Sequence, residues 1–131
     1  DYLNKKSGVA GVSGLSSDMR DIEAADKAGV PSAVLAMAMY TYKIKKYIGA
    51  YTAALGGVDV IVFTGGVGEN QTGLRGDVCK ELAYMGIELD EEANKVRGEE
   101  RIITTENSKI KVVVIPTDEE FMIASDTMNL I

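Results

Sequence analysis

Four consecutive apolar residues, Val60, Ile61, Val62 and Phe63, interrupt a chain whose apolar positions otherwise recur mostly at helical steps. A run of this length ahead of Gly65 and Gly66 predicts a buried strand ending in a tight turn. A second strand is expected over residues 109–115, where Val112, Val113 and Val114 form the run and Pro116 stops it. A weaker one is expected over 101–105. Residues 18–28 carry a helical pattern that Ser16, Ser17 or Asp18 can cap, with Asp18, Asp21 and Glu23 near its positive end. Gly29, Val30 and Pro31 end it, and Ser32 starts a long helix. On that helix Tyr40, Ile44, Tyr47, Ile48, Tyr51 and Leu55 share one face at steps of three, four and seven. The stripe reads as core, with a subunit contact as the alternative. Helices are further expected over 74–84, 91–96 and 117–127. In the last, Thr117 at the N-cap and Glu120 at N3 compose a capping box. Strands separated by helices predict an α/β fold whose sheet is mostly parallel and covered on its faces.

Length changes this picture little: 131 residues suit a single domain, 1–131, but are short for an enzyme with two substrates. The opening stretch, with glycines at 8, 11 and 14 and no initiating Met, reads as the continuation of a longer protein. A net charge of -6 argues against nucleic acid or an anionic membrane as partner, so any anionic ligand must be held locally. No apolar run reaches membrane-spanning length, no leader pattern opens the chain, and Cys79 has no second cysteine to bridge. A cytoplasmic location is the expectation. Histidine is absent, which removes Ser-His-Asp and Cys-His nucleophile systems and imidazole metal ligands. What chemistry remains must run on carboxylates, Arg, Lys and backbone amides.

Three stretches are candidates for it. FTGGVGENQ, residues 63–71, lacks the lysine of a phosphate-binding P-loop, and Gln71 stands where a dinucleotide fingerprint needs its third glycine. What survives is a strand emptying through glycines into a helix N-terminus, which offers unblocked N–H groups to an anion. A crowded strand-to-helix corner explains the same residues. GLSSDMRD, residues 14–21, puts Arg20 on a first helical turn, able to stack on a base or reach a phosphate. Asp18 beside it can accept from ribose hydroxyls, although a cap and an exposed partner of Glu23 account for the pair equally. PTDEEF, residues 116–121, repeats the strand-to-helix arrangement with two adjacent glutamates. The capping box explains Glu120 and leaves Glu119 without a task.

Together and in this order, GLSSDMRDIEAA, DVIVFTGGVGEN and VIPTDEEFMIASDT resemble the C-terminal part of the acetate kinase family, within the acetate and sugar kinase, Hsp70 and actin superfamily. The resemblance covers essentially the whole chain. It implies a ribonuclease-H-like, actin-like ATPase domain and reversible transfer of the ATP γ-phosphoryl group to acetate, giving acetyl phosphate and ADP. It implies a nucleotide-binding role for Asp18, Met19 and Arg20 and for Gly66, Val67, Gly68, Glu69 and Asn70. It further implies a Mg2+-associated role for Glu119, and a homodimer in the complete protein. The family's catalytic Asp, its phosphoryl-neutralising arginines, a metal-binding Asn and a phosphate loop have no counterpart here, so no catalytic residue is assigned and the chain alone is expected to be inactive. A propionate or butyrate kinase is the alternative within the enzyme class. A non-catalytic nucleotide-binding module is the alternative outside it, and an NAD-binding domain is disfavoured by Gln71.

Overall fold

The structure is a computed structural model that describes Leu3 and residues 6–130. It divides into two compact units, Asp1–Val58 and Asp59–Ile131.

The first unit is helical. Helix α1, Gly8–Ser13, is followed by α2, Met19–Lys27, and by the 25-residue α3, Pro31–Leu55. Pro31 occupies the first turn of α3, where its missing N–H costs nothing, and Gly56 closes that helix in the left-handed conformation at φ 74°. Both α1 and α2 pack on α3. The core they share is made of Ile22, Ala33, Ala36, Met37 and Thr41, so the buried face of α3 is small-residued and lies in its first half. This corrects the reading of the tyrosine stripe as core: Tyr47, Tyr51 and Leu55 are 57, 64 and 76% exposed. The reason is length. A helix of 25 residues runs about 37 Å at ~1.5 Å per residue, well beyond the reach of a six- and a nine-residue partner.

The second unit is α/β. Strand β1, Val60–Phe63, leads to the short helix α4, Gly65–Asn70, and to α5, Thr72–Glu81. Single 3-10 turns at Ala83–Met85 and Ala93–Lys95 precede β2, Arg101–Ile102, and β3, Lys111–Val114, after which α6 runs from Glu119 to Asn129. The sheet order is β1-β3-β2. β1 pairs parallel to β3, Val60 opposite Lys111 and Phe63 opposite Val114, whereas β2 pairs antiparallel to β3. The sheet is therefore mixed rather than mostly parallel. The segment from Ile103 to Ile110 that joins β2 to β3 is too short for the crossover a parallel pairing requires, so the chain turns back on itself.

Side chains on one face of the sheet, Phe63, Val112 and Val114, join Leu74, Val78, Cys79, Leu82, Ile87, Ile103 and Ile110 in the core. The other face was expected to be covered as well, yet Val60, Val62 and Ile102 are 49, 47 and 53% exposed. Cross-strand register places Val62, Val113 and Ile102 side by side there. Helix α6 buries none of its residues.

Candidate functional site

In the first unit, Asp18 is the N-cap of α2 and accepts from the Arg20 backbone N–H at 2.8 Å. The Arg20 guanidinium folds back on the same carboxylate, with Nε 3.1 Å from Oδ1 and 3.2 Å from Oδ2. Arg20's side-chain bonds hold the Asp18 carboxyl down at about 2. Arg20 thus pairs with Asp18 and not with Glu23, which takes Lys27 at 2.6 Å. The guanidinium stays 88% exposed and carries a planar face that a ring can cover.

In the second unit, β1 and β3 are adjacent and parallel, so the turns that follow them leave the same end of the sheet. Such an end, outside the carboxyl ends of parallel strands, is where open α/β sheets place ligands. The first of these turns starts at Thr64, and Gly65 takes φ 70°, a conformation that L side chains resist. Gly68 meets a different demand: a Cβ there would lie 3.1 Å from the backbone carbon of Phe63. Close approach of helix to strand therefore rests on Gly68, three residues before the Gln71 position at which the dinucleotide comparison looked for it. Asn70 donates from Nδ2 to the Gly66 carbonyl at 3.0 Å.

The second turn departs from the expected register. The N-cap of α6 is Asp118, whose Oδ1 accepts from the Phe121 N–H at 2.9 Å. Glu119 is accordingly at N1 and Glu120 at N2, and the capping box built on Thr117 and Glu120 does not form. Thr117 has another partner. Its backbone N–H and its hydroxyl both donate to Glu69 Oε1, at 2.8 and 2.9 Å. The Thr117 N–H, foremost, holds Glu69 below the usual carboxylate range. The structure thus brings the two glutamate-bearing turns together through a contact that the sequence did not disclose.

Arg75 was also missed. It is fully buried, and its guanidinium makes five hydrogen bonds: Nε to Asn94 Oδ1, one terminal nitrogen to the carbonyls of Gly68 and Glu69, the other to those of Asn94 and Val96, all between 2.7 and 3.0 Å. Carbonyls at the end of α4, which have no partner within so short a helix, are satisfied by this one cation. Asn94 extends the clamp by donating to the Thr72 carbonyl at 2.9 Å. A signal was present in the sequence: Arg75 sits four residues before Cys79 and seven before Leu82, inside an apolar stripe. Cys79 is buried too, and burial pushes its thiol up to about 11, which leaves it unreactive.

A mixed α/β unit with paired strand-to-helix turns, one glycine-built and one acidic, defines a fold class rather than a single protein. The sequence profile of the Acetokinase family matches residues 1–125, and the chain belongs to that family. Over its full length it is 67% identical to acetate kinases of Phocaeicola vulgatus and Bacteroides fragilis, and it spans about a third, 33%, of the length of each. The crystal structure of Porphyromonas gingivalis acetate kinase matches 96% of the chain, and 32% of itself, with TM-score 0.88 and 61% identity. That of a propionate kinase from Francisella tularensis matches 98% of the chain and 33% of itself, with TM-score 0.87 and 36% identity.

Proposed function

We propose that this chain is the C-terminal, nucleotide-binding part of an acetate kinase, which transfers the γ-phosphoryl group of ATP to acetate and forms acetyl phosphate and ADP reversibly. The observation that carries the reading is the 67% identity to acetate kinases across every residue of the chain. Its fold is taken to be ribonuclease-H-like, and the complete protein to be a cytoplasmic homodimer.

Within this reading the exposed Arg20 guanidinium, steadied by Asp18 and next to Met19, lies against adenosine. The turn from Gly66 to Asn70 supplies backbone to the nucleotide, with Val67 as an apolar contact and the Asn70 amide as a hydrogen-bonding group. Glu119, exposed at the start of α6, supplies an oxygen ligand for Mg2+. Among the described residues no three acidic, His or Cys side chains cluster as a metal cage. A lone carboxylate nevertheless fits this cation, which keeps several waters and is held by one or two carboxylates together with substrate phosphates. When bound it would offset the negative charge of the phosphates. The cations that stabilise the transferring phosphoryl group, and the acetate pocket, belong to the remaining two thirds of the protein.

The test is made on the full-length protein and on the 131-residue chain side by side, with hydroxamate detection of acetyl phosphate from ATP and acetate. The full-length protein should react and the chain alone should stay at background. Similarity to a propionate kinase makes propionate the second acid to assay. A kcat/KM larger for propionate than for acetate would move the assignment to that enzyme, and no acyl phosphate from any short acid would overturn it.

A further inference from the structure

The nucleotide-side turn and the Glu119 turn are separate in sequence, and a working site needs them held at one spacing. A pair of hydrogen bonds from Thr117 to Glu69 Oε1 links them across 48 positions of sequence. Around it each neighbour is fixed in turn. The Glu69 carbonyl is held from behind by the buried Arg75 guanidinium at 2.8 Å. On the other side, Thr117 directly precedes Asp118, which caps α6 through Phe121. Glu119 follows as the first residue of that helix. A continuous path of hydrogen bonds and short backbone therefore runs from Arg75 in the core, through Glu69 and Thr117, to Glu119.

We propose that Glu69 is a positioning residue: its carboxylate ties the glycine turn to the β3–α6 turn and so sets where Glu119 stands relative to the bound nucleotide. This rests on the nucleotide reading above and refines it, because the Glu69 side chain then serves Thr117 and not the nucleotide. Electrostatics favours that division. A carboxylate pointed at a polyphosphate would repel it, whereas one that accepts two donors is stabilised as an anion where it is. The lowering of Glu69 below the usual carboxylate range, caused first by the Thr117 N–H, agrees with this geometry.

The experiment uses the full-length protein and three variants, Glu69→Gln, Thr117→Val and Thr117→Ser, together with the double Glu69→Gln/Thr117→Val. Two quantities are read: the ADP dissociation constant by calorimetry with and without Mg2+, and the Mg2+ concentration giving half-maximal acetyl phosphate formation. Loss of the exposed hydroxyl bond in Thr117→Val, and of the charge behind both bonds in Glu69→Gln, predicts a three- to tenfold weakening of Mg2+-dependent ADP binding, roughly the change one ordinary hydrogen bond controls. Binding without Mg2+ should change less than twofold. The double variant should lose less than the two single losses combined, because Thr117→Val leaves the backbone N–H bond to residue 69 in place, and Thr117→Ser, which keeps both donors, should behave as wild type.

Additive effects in the double variant, or equal loss with and without Mg2+, would overturn the tie and return Glu69 to direct nucleotide contact. Thr117→Ser as impaired as Thr117→Val would overturn it as well, since the methyl group and not the hydroxyl would then matter. Failure of the kinase reading is distinguishable: the unsubstituted protein would bind ADP but form no acetyl phosphate, and the calorimetric comparison would still decide for or against the tie. If the unsubstituted protein bound no ADP at all, both readings would fall.

Discussion

Arg75 is a charged side chain where burial is complete, and its persistence there has to be explained by what surrounds it. Every N–H direction of the guanidinium meets an oxygen, four of them main-chain carbonyls, so the desolvation cost is offset by hydrogen bonds rather than by an opposite charge. Burial, with Arg97 nearby, draws its pKa below the ordinary guanidinium value, yet an arginine stays protonated at any working pH. Removing it strands those carbonyls and opens a void. Arg75→Met in the full-length protein should therefore cost about 3 to 5 kcal/mol of stability, the range for breaking a buried charged network, as read from urea unfolding. Arg75→Lys should recover little, because an ammonium cannot imitate a planar fork with five donors. A loss below about 1 kcal/mol would mean that the glycine turn holds its shape unaided. Composition and periodicity mark the position of this residue in an apolar stripe, but they carry no information about carbonyls contributed by residues 94 and 96, which lie some twenty positions away.

At the scale of single elements, α6 shows how a local rule can be right in kind and wrong by one residue. Thr117 and Asp118 are both good N-cap residues, and nothing between Pro116 and Phe121 chooses between them. The choice is made by Glu69, which engages the Thr117 hydroxyl and leaves capping to Asp118. Asp118→Ala should accordingly lower stability by roughly 1 kcal/mol, whereas Glu120→Ala, now at N2 without a capping partner, should cost only a few tenths, both read from thermal melts of the full-length protein. Glu119→Ala should leave the melt nearly unchanged and raise the Mg2+ requirement. Exchange of the Asp118 and Glu120 outcomes would restore the capping box. Other elements were legible because their cause is local: β1 and β3 come from uninterrupted apolar runs, and α2 and α3 from caps and period. α1 was not foreseen, since six residues with two glycines give too short a signal. Nor was the direction of β2, which depends on the length of the return to β3. In the candidate site, the glycines and acidic residues were visible in sequence, while the contacts joining them are tertiary and were not.

For the molecule as a whole, large apolar side chains stand exposed on the sheet and on two helices. Val60, Val62 and Ile102 line one sheet face, Tyr47, Tyr51 and Leu55 the later turns of α3, and Phe121, Ile123 and Met128 are 66, 66 and 77% exposed on α6. Contiguous apolar patches are covered by partners in most soluble proteins, and the relatives supply about twice as much additional chain. The 131-residue chain alone should thus bind a polarity-sensitive apolar dye strongly, and the full-length protein several-fold less per mole. Equal fluorescence from the two would show that these faces stay open in the complete protein.

The strand order has a consequence in time. Among the described residues β1 pairs with β3 alone, and the two are separated by about fifty positions of chain. A ribosome adding ~5–20 residues per second therefore delivers Val60 to Phe63 roughly 3 to 10 seconds before the strand they must pair with. For that interval the apolar VIVF segment lacks its β3 ladder, and the glycine turn behind it lacks the Thr117 contact that meets Glu69 in the finished structure. Synthesis order thus makes the turn one of the last parts of the nascent chain to mature, and slowing translation between residues 64 and 110 should lengthen the period in which a chaperone can capture it.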